Sequence, residues 1–146
     1  MSHTIPIRKF LADDTALKKA VRNRVRIERM HVRDTYPAIV IGSLGDDTVM
    51  TYSGEPGLHM GVIEISTMSE DYLEAARVAS LCRDRMMTLD GKTAVVMTID
   101  GVSYHLGKAA HLTRQEEEGV VQDGSDTVVR RIADQWRVAW ADITAP

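Results

Sequence analysis

The side chains that could do chemistry in this chain of 146 residues are few and dispersed. The histidines are His3, His31, His59, His105 and His111. No two of them have the i, i+4 helical spacing, with a carboxylate between, that builds a helix-borne zinc site. His105 and His111 lie near one strand pair and could approach each other, but a catalytic zinc commonly takes three protein ligands. Cys82 is the single cysteine, so neither an intramolecular disulfide nor a thiolate zinc cage can form. It falls on an apolar helical stripe, where a small buried thiol is expected; a nucleophile would need a base beside it. Gly42-Ser43-Leu44-Gly45 follows an apolar run, yet Asp46 and Asp47 come next, where a phosphate cradle needs a helix N-terminus and a cation. Two carboxylates repel phosphate, which argues against nucleotide binding. Glu116, Glu117 and Glu118 could bind a hard cation, although adjacent loop acids are ordinarily just solvated. Trp136 and Trp140 share a strand face and read as core, not as a stacking platform. These residues compose no active site, and no catalytic residue, cofactor or metal is expected.

Charge is distributed unevenly. Residues 1–33 carry nine Lys or Arg against three acids, whereas 34–76 carry eight acids and no Lys or Arg. The net formal charge is only -3. Such a split suits either solvated faces of opposite sign or a head-to-tail contact in which one patch meets a different patch on the next copy. In the second case Arg22, Arg24, Arg26 and Arg29 would face acids such as Asp46, Asp47 or Glu55. The basic stretch 18–33 could also touch nucleic acid, but it lacks interleaved aromatics and the whole chain is acidic, so specific DNA reading is not expected.

The elements that must position these residues follow from periodicity and turn chemistry. The length implies one domain, 1–146, burying about two-thirds of its unfolded surface. Thr4 and Pro6 suit a first helix carrying Ile7, Phe10 and Leu11; Asp14 suits the N-cap of a second carrying Leu17, Ala20 and Val21. Alternation predicts a strand from Val25 towards Arg29, and Ala38 to Gly42 a short strand covered on both faces. Residues 43–59, rich in Gly, Asp, Ser and Pro, predict a long hairpin loop. Gly61 to Met68 predicts a strand with Ile63, Ile65 and Thr67 on one face. A helix is predicted from a Ser69 cap to about Met87, with Tyr72, Ala75, Ala76, Ala79, Cys82 and Met86 in one stripe. Asp100-Gly101 between two apolar runs is a type I′ hairpin signal. A weak strand near 109–113, an acidic loop at 115–126 and a long closing strand at 128–143 complete the reading. The fold class is α+β: a single twisted, mostly antiparallel sheet with N-terminal helices and one long central helix packed on a face. No apolar run approaches about 18 residues, so no membrane span is expected. The opening Met-Ser-His-Thr-Ile-Pro has no long apolar stretch of a secretory signal, and a reducing cytoplasm is the expected place of synthesis.

The order of these elements, and several local motifs, resemble the small tail-terminator or tail-completion proteins of long-tailed phages and gene transfer agents. The residues that carry the resemblance are Ile7-Arg-Lys-Phe-Leu-Ala-Asp-Asp-Thr-Ala-Leu17, Arg24-Val-Arg-Ile-Glu28, Tyr36-Pro-Ala-Ile-Val-Ile-Gly42 and Gly61-Val-Ile-Glu-Ile-Ser66. The last runs into the Glu70-to-Met87 helix with Arg77 and Arg83. The resemblance extends from about Ile7 to Asp142. It implies a structural virion protein, not an enzyme, made in the host cytoplasm. Such a protein forms a homo-oligomeric ring, usually a hexamer, that caps the tail tube and stops its polymerisation. The ring then presents a surface to a head-completion or connector protein, and DNA passes through the lumen without sequence-specific binding. Two rival readings remain: a small cytosolic ligand-binding or enzymatic α+β dimer, and a head-completion (neck) protein.

Overall fold

Asp14 ends one helix and starts the next. Its carboxylate accepts the Leu17 N–H at 3.1 Å, so helix α1 (Thr4–Ala12) gives way to α2 (Thr15–Val21) with the new N-terminal donor satisfied. The computed structural model describes residues 4–30, 34–50, 56–92, 95–121 and 128–144; for 46–50, 56–58, 118–121 and 142–144 it describes the main chain only. The elements that follow are β1 (Val25–Ile27), β2 (Ala38–Met50), β3 (Pro56–Ser69), α3 (Tyr72–Met87), β4 (Val95–Ile99), β5 (Val102–Val121) and β6 (Val128–Thr144). The fold is mixed α+β, three helices with a six-stranded sheet in the order β1-β2-β3-β6-β5-β4.

The last strand in sequence therefore lies in the interior of the sheet. β6 pairs with β3 on one side and β5 on the other, antiparallel in both cases. The β2–β3 and β4–β5 pairs are also antiparallel, whereas β1 lies parallel to β2, with Val25 opposite Ile39 and Ile27 opposite Ile41. With this parallel edge, the expected mostly antiparallel sheet is matched in part. β1 is also shorter than its alternation predicts: Glu28 has a positive φ of 69°, and the Arg29 N–H turns back to the Ile27 carbonyl at 2.9 Å.

Four further expectations are corrected. The stretch 43–59 is mostly strand, because β2 continues to Met50 and β3 begins at Pro56; a bulge between Ser43 and Gly45 takes up Leu44 as the extra residue. The acidic stretch from Gln115 is likewise strand as far as Val121, and the weak strand at 109–113 is the middle of the 20-residue β5. Register shifts after Leu106, His111 and Glu117 break its alternation, which is why its sequence reads as separate pieces. Asp71, not Ser69, caps α3 by accepting the Leu73 N–H at 3.3 Å; Ser69 closes β3 and its hydroxyl accepts the Asp71 N–H. The hairpin at Asp100-Gly101 forms as its sequence predicts, with φ of 49° and 80° at the two turn residues.

All three helices cover one face of the sheet. Ile39, Ile41, Ile63, Ile65, Trp136, Val138 and Trp140 from the strands share a core with Ile7, Phe10, Leu11, Leu17, Val21, Val78, Cys82 and Met86 from the helices. Arg85 ties α3 to α1: its Nε donates to the Phe10 carbonyl at 3.0 Å and its guanidinium lies 3.9 Å from the Phe10 ring centroid. Small residues permit close contact further along α3, where Ala75 and Ala79 pack on Ile132 of β6. Replacing Ala79 with Leu should overfill this contact and lower stability by about 1–3 kcal/mol. A urea midpoint equal to that of the parent chain would show that the space can accommodate the larger side chain.

Candidate functional site

The densest group of chemically capable side chains sits on the helix-facing side of β5 and β6. Asp134 lies between Ile132 and Trp136 on that side and is buried. Arg114, opposite it on β5, donates Nε to Oδ1 at 2.8 Å and Nη2 to Oδ2 at 2.9 Å. His111 Nε2 is 2.9 Å from the same Oδ1, and its ring meets Trp136 edge-on at 5.0 Å. His111 and Arg114 are three residues apart and would point to opposite faces of a regular strand. The register shift between His111 and Thr113 puts both against Asp134. This cluster was not legible in the sequence, because it depends on that extra residue and on the β5–β6 register.

A carboxylate beside a histidine resembles the base and orienter of a nucleophilic triad, but the remaining geometry is that of a tie. Both carboxylate oxygens are engaged by Arg114, whose pKa is raised by this hydrogen bond first and by the charge of Asp134 as well. The neighbouring thiol, Cys82, is held neutral: burial pushes its pKa from 9.0 up to about 12, partly opposed by a hydrogen bond from Thr67, with the charges of Asp134 and Asp14 adding to the rise. Among the described residues no three His, Cys, Asp or Glu side chains converge as a metal site. His105 does not join His111; it stands opposite Ala141, towards the other end of β5.

The other face of β6 carries a second ionic tie. Arg131 donates Nε to Ser66 Oγ at 3.1 Å, Nη2 to the carboxylate of Glu64, and lies 3.1 Å through Nη1 from Glu117. One guanidinium thus links β3, β6 and β5.

The residues singled out for contact between copies lie as follows. Arg22 is exposed at the C-cap of α2 with φ 55°, and Arg29 is exposed just past β1. Arg24 donates Nε to the Pro37 carbonyl at 2.9 Å. Arg26 makes a two-pronged pair with Asp34 at 2.8 and 2.9 Å, and this hydrogen bonding raises its pKa against the opposing effect of burial. Arg26 is therefore already neutralised within its own chain. Asp46 and Asp47 stand on β2 opposite Gly61 and Met60, beyond the stretch that β1 covers, and Glu55 lies outside the described residues. A cavity of about 550 Å³ is lined by Arg8, Ala12, Asp13, Lys18, Arg22 and Asn23. No helix among the described residues is long and apolar enough to cross a membrane.

Comparison with protein families and with curated proteins gives no match. Among solved structures, the chain is similar to one described as part of the virion of a native gene transfer agent particle, with a TM-score of 0.54 and 17% sequence identity. The likeness covers 92% of this chain and 91% of that one. At that identity it is a likeness of fold, and it runs nearly end to end in both chains.

Two outcomes are expected for the interior cluster. Arg114→Met leaves the buried Asp134 carboxylate with only His111 of its two partners and should be destabilising, by less than the ~3–5 kcal/mol of a fully buried broken pair, whereas Arg114→Met with Asp134→Leu should recover most of that loss. A double variant as unstable as the single one would show that the ion pair itself, and not its satisfaction, carries the stability. Cys82 provides a pH test. The unfolded thiol ionises above about pH 9 while the buried one keeps its proton, so its contribution is full below that pH. Stability should then fall as pH rises from about 9 towards 12, by up to about 1.4 kcal/mol per pH unit, and Cys82→Ala should remove this slope. Equal urea midpoints for parent and variant across that range would contradict it.

Proposed function

We propose that this chain is a structural virion protein of a tailed phage or gene transfer agent, and that within the virion it acts as a tail terminator. The observation that carries the reading is the two-way, nearly complete fold likeness to a chain of a gene transfer agent virion. The site geometry agrees in kind: the polar groups with the right chemistry for catalysis are engaged in holding strands together. In this role the protein works by shape. Copies form a ring, usually six-fold in the family it resembles, which seats on the last ring of the tail tube and halts its growth. The opposite surface of the ring meets a head-completion or connector protein, and DNA crosses the lumen without base-specific contact.

The test is the state of the purified chain. Sedimentation should give a closed oligomer and negative-stain images a hollow ring, and adding the ring to polymerising tube protein should fix tube length. A compact dimer enclosing a pocket would instead favour the ligand-binding reading. A ring that binds the head connector but leaves tube growth unlimited would favour a neck protein.

A further inference from the structure

The two edges of the sheet are finished differently. On β1 the main-chain groups of Arg24 and Glu28 bond to β2, so those of Val25 and Ile27 point outward. Both outward carbonyls are already occupied: Val25 accepts from Arg8 Nε at 2.8 Å and Ile27 from the Arg29 N–H at 2.9 Å. The outward acceptors of this edge are thus taken, and the edge is short. β1 covers only Ile39–Ile41 of β2, and the Ser43 N–H just beyond is met by Glu28 Oε1 at 3.3 Å. From Gly45 to Met50, β2 has no strand on its outer side among the described residues.

The opposite edge is β4. Its two-residue turn makes Ile99–Val102 a hydrogen-bonded pair, and alternation along the hairpin leaves the N–H and C=O of Val96 and Thr98 pointing away from β5. Natural sheets protect such an edge with charges, proline or a bulge. Val95–Ile99 is Val-Val-Met-Thr-Ile and has none of these. Val95, Met97 and Ile99 pack only partly buried against the core, and Val96 is 52% exposed.

These two open stretches lie at one level of the sheet. Val95 stands opposite Leu106, Leu106 opposite Trp140, Trp140 opposite His59, and His59 opposite Thr48. Counting pair directions across the sheet, β4 and β2 run the same way. We infer that β4 of one copy pairs in parallel with the outer side of β2 on a second copy, Val95–Met97 lying against Thr48–Met50, joining subunits head to tail in one continuous sheet. Two different edges at equal height allow a rotation without translation along the strands, and a head-to-tail contact of this kind forms a ring where that rotation closes. Charge agrees. Lys92 precedes β4, and Lys108 lies beside it, its Cβ close to Gly91; both come to the level of Asp46 and Asp47 on the neighbouring β2. This pairing brings lysines of the next copy, not the arginines around β1, to the level of these two positions of β2. This contact rests on the ring proposed above and names the surface that builds it.

Thr98→Pro tests it. The Thr98 N–H makes no bond to β5, so proline removes a donor from the open edge and leaves the hairpin ladder intact. The full-length variant should keep its circular dichroism and urea midpoint while the concentration for half-assembly rises about tenfold or more. In the parent chain, hydrogen exchange at the Val96 and Thr98 amides should be rapid in dilute monomer and protected in the oligomer, a readout that needs no variant. Lys92→Glu should weaken assembly, and adding Asp46→Lys should partly restore it. A ring that persists unchanged in folded Thr98→Pro, with both amides exchanging freely, overturns this contact and leaves the ring reading standing. A parent chain that stays monomeric at all concentrations overturns both. A two-copy species abolished by Thr98→Pro overturns the head-to-tail arrangement in favour of β4 pairing with itself.

Discussion

The ladder between β3 and β6 is the contact on which the remaining structure depends. It joins eleven residue pairs, from His59 opposite Trp140 to Ser69 opposite Arg130, across a long span of sequence. Through it Ile63 meets Trp136 and Gly61 meets Val138, so the two halves of the chain contribute to a single core. The helix α3 starts directly after β3, and it can lie over β6 only because β6 is β3's neighbour. Its alanines then find Ile132. A pairing this distant must close a large loop before it forms, whereas the β2–β3 and β5–β6 hairpins on either side of it are local, so joining the two halves is the step with the large entropic cost.

Polar ties on both faces of β6 hold its two ladders in register. Asp134 with Arg114 and His111 secures β5 from the helix side, and Arg131 with Glu64, Ser66 and Glu117 spans three strands from the other. A slip of one residue would turn Trp136 and Trp140 out of the core and carry Asp134 away from its cation. Apolar burial supplies most of the driving force, but it tolerates small shifts. The bidentate geometry of Arg114 does not.

Local chemistry made much of this legible. Asp14 as a cap, Asp100-Gly101 as a turn, the buried strand at Ala38–Ile41 and the apolar side of α3 all follow from neighbours a few residues away. What escaped depends on distant pairing. The Gly-Asp-Thr stretch after Ser43 has turn composition, yet it is strand because β3 supplies the complementary main chain. Three register shifts in β5 hide its length, and the parallel placement of β1 has no signal in its three residues. Of the charged positions considered for subunit contact, Arg26 could not be known to be paired with Asp34 until the chain between them was folded back.

The interior position of β6 also affects how the protein is made. The ribosome delivers this strand after every other element of the sheet, and until it arrives β3 and β5 each have an unfilled side. A nascent or prematurely terminated chain consequently holds two separate fragments, β1-β2-β3 and β4-β5, with no bridge between them. Such fragments cannot present the finished pair of outer edges at matched height. Synthesis must reach the tryptophan-bearing strand before the two halves of the sheet can join, so a chain broken short of Val128 lacks the strand that unites them.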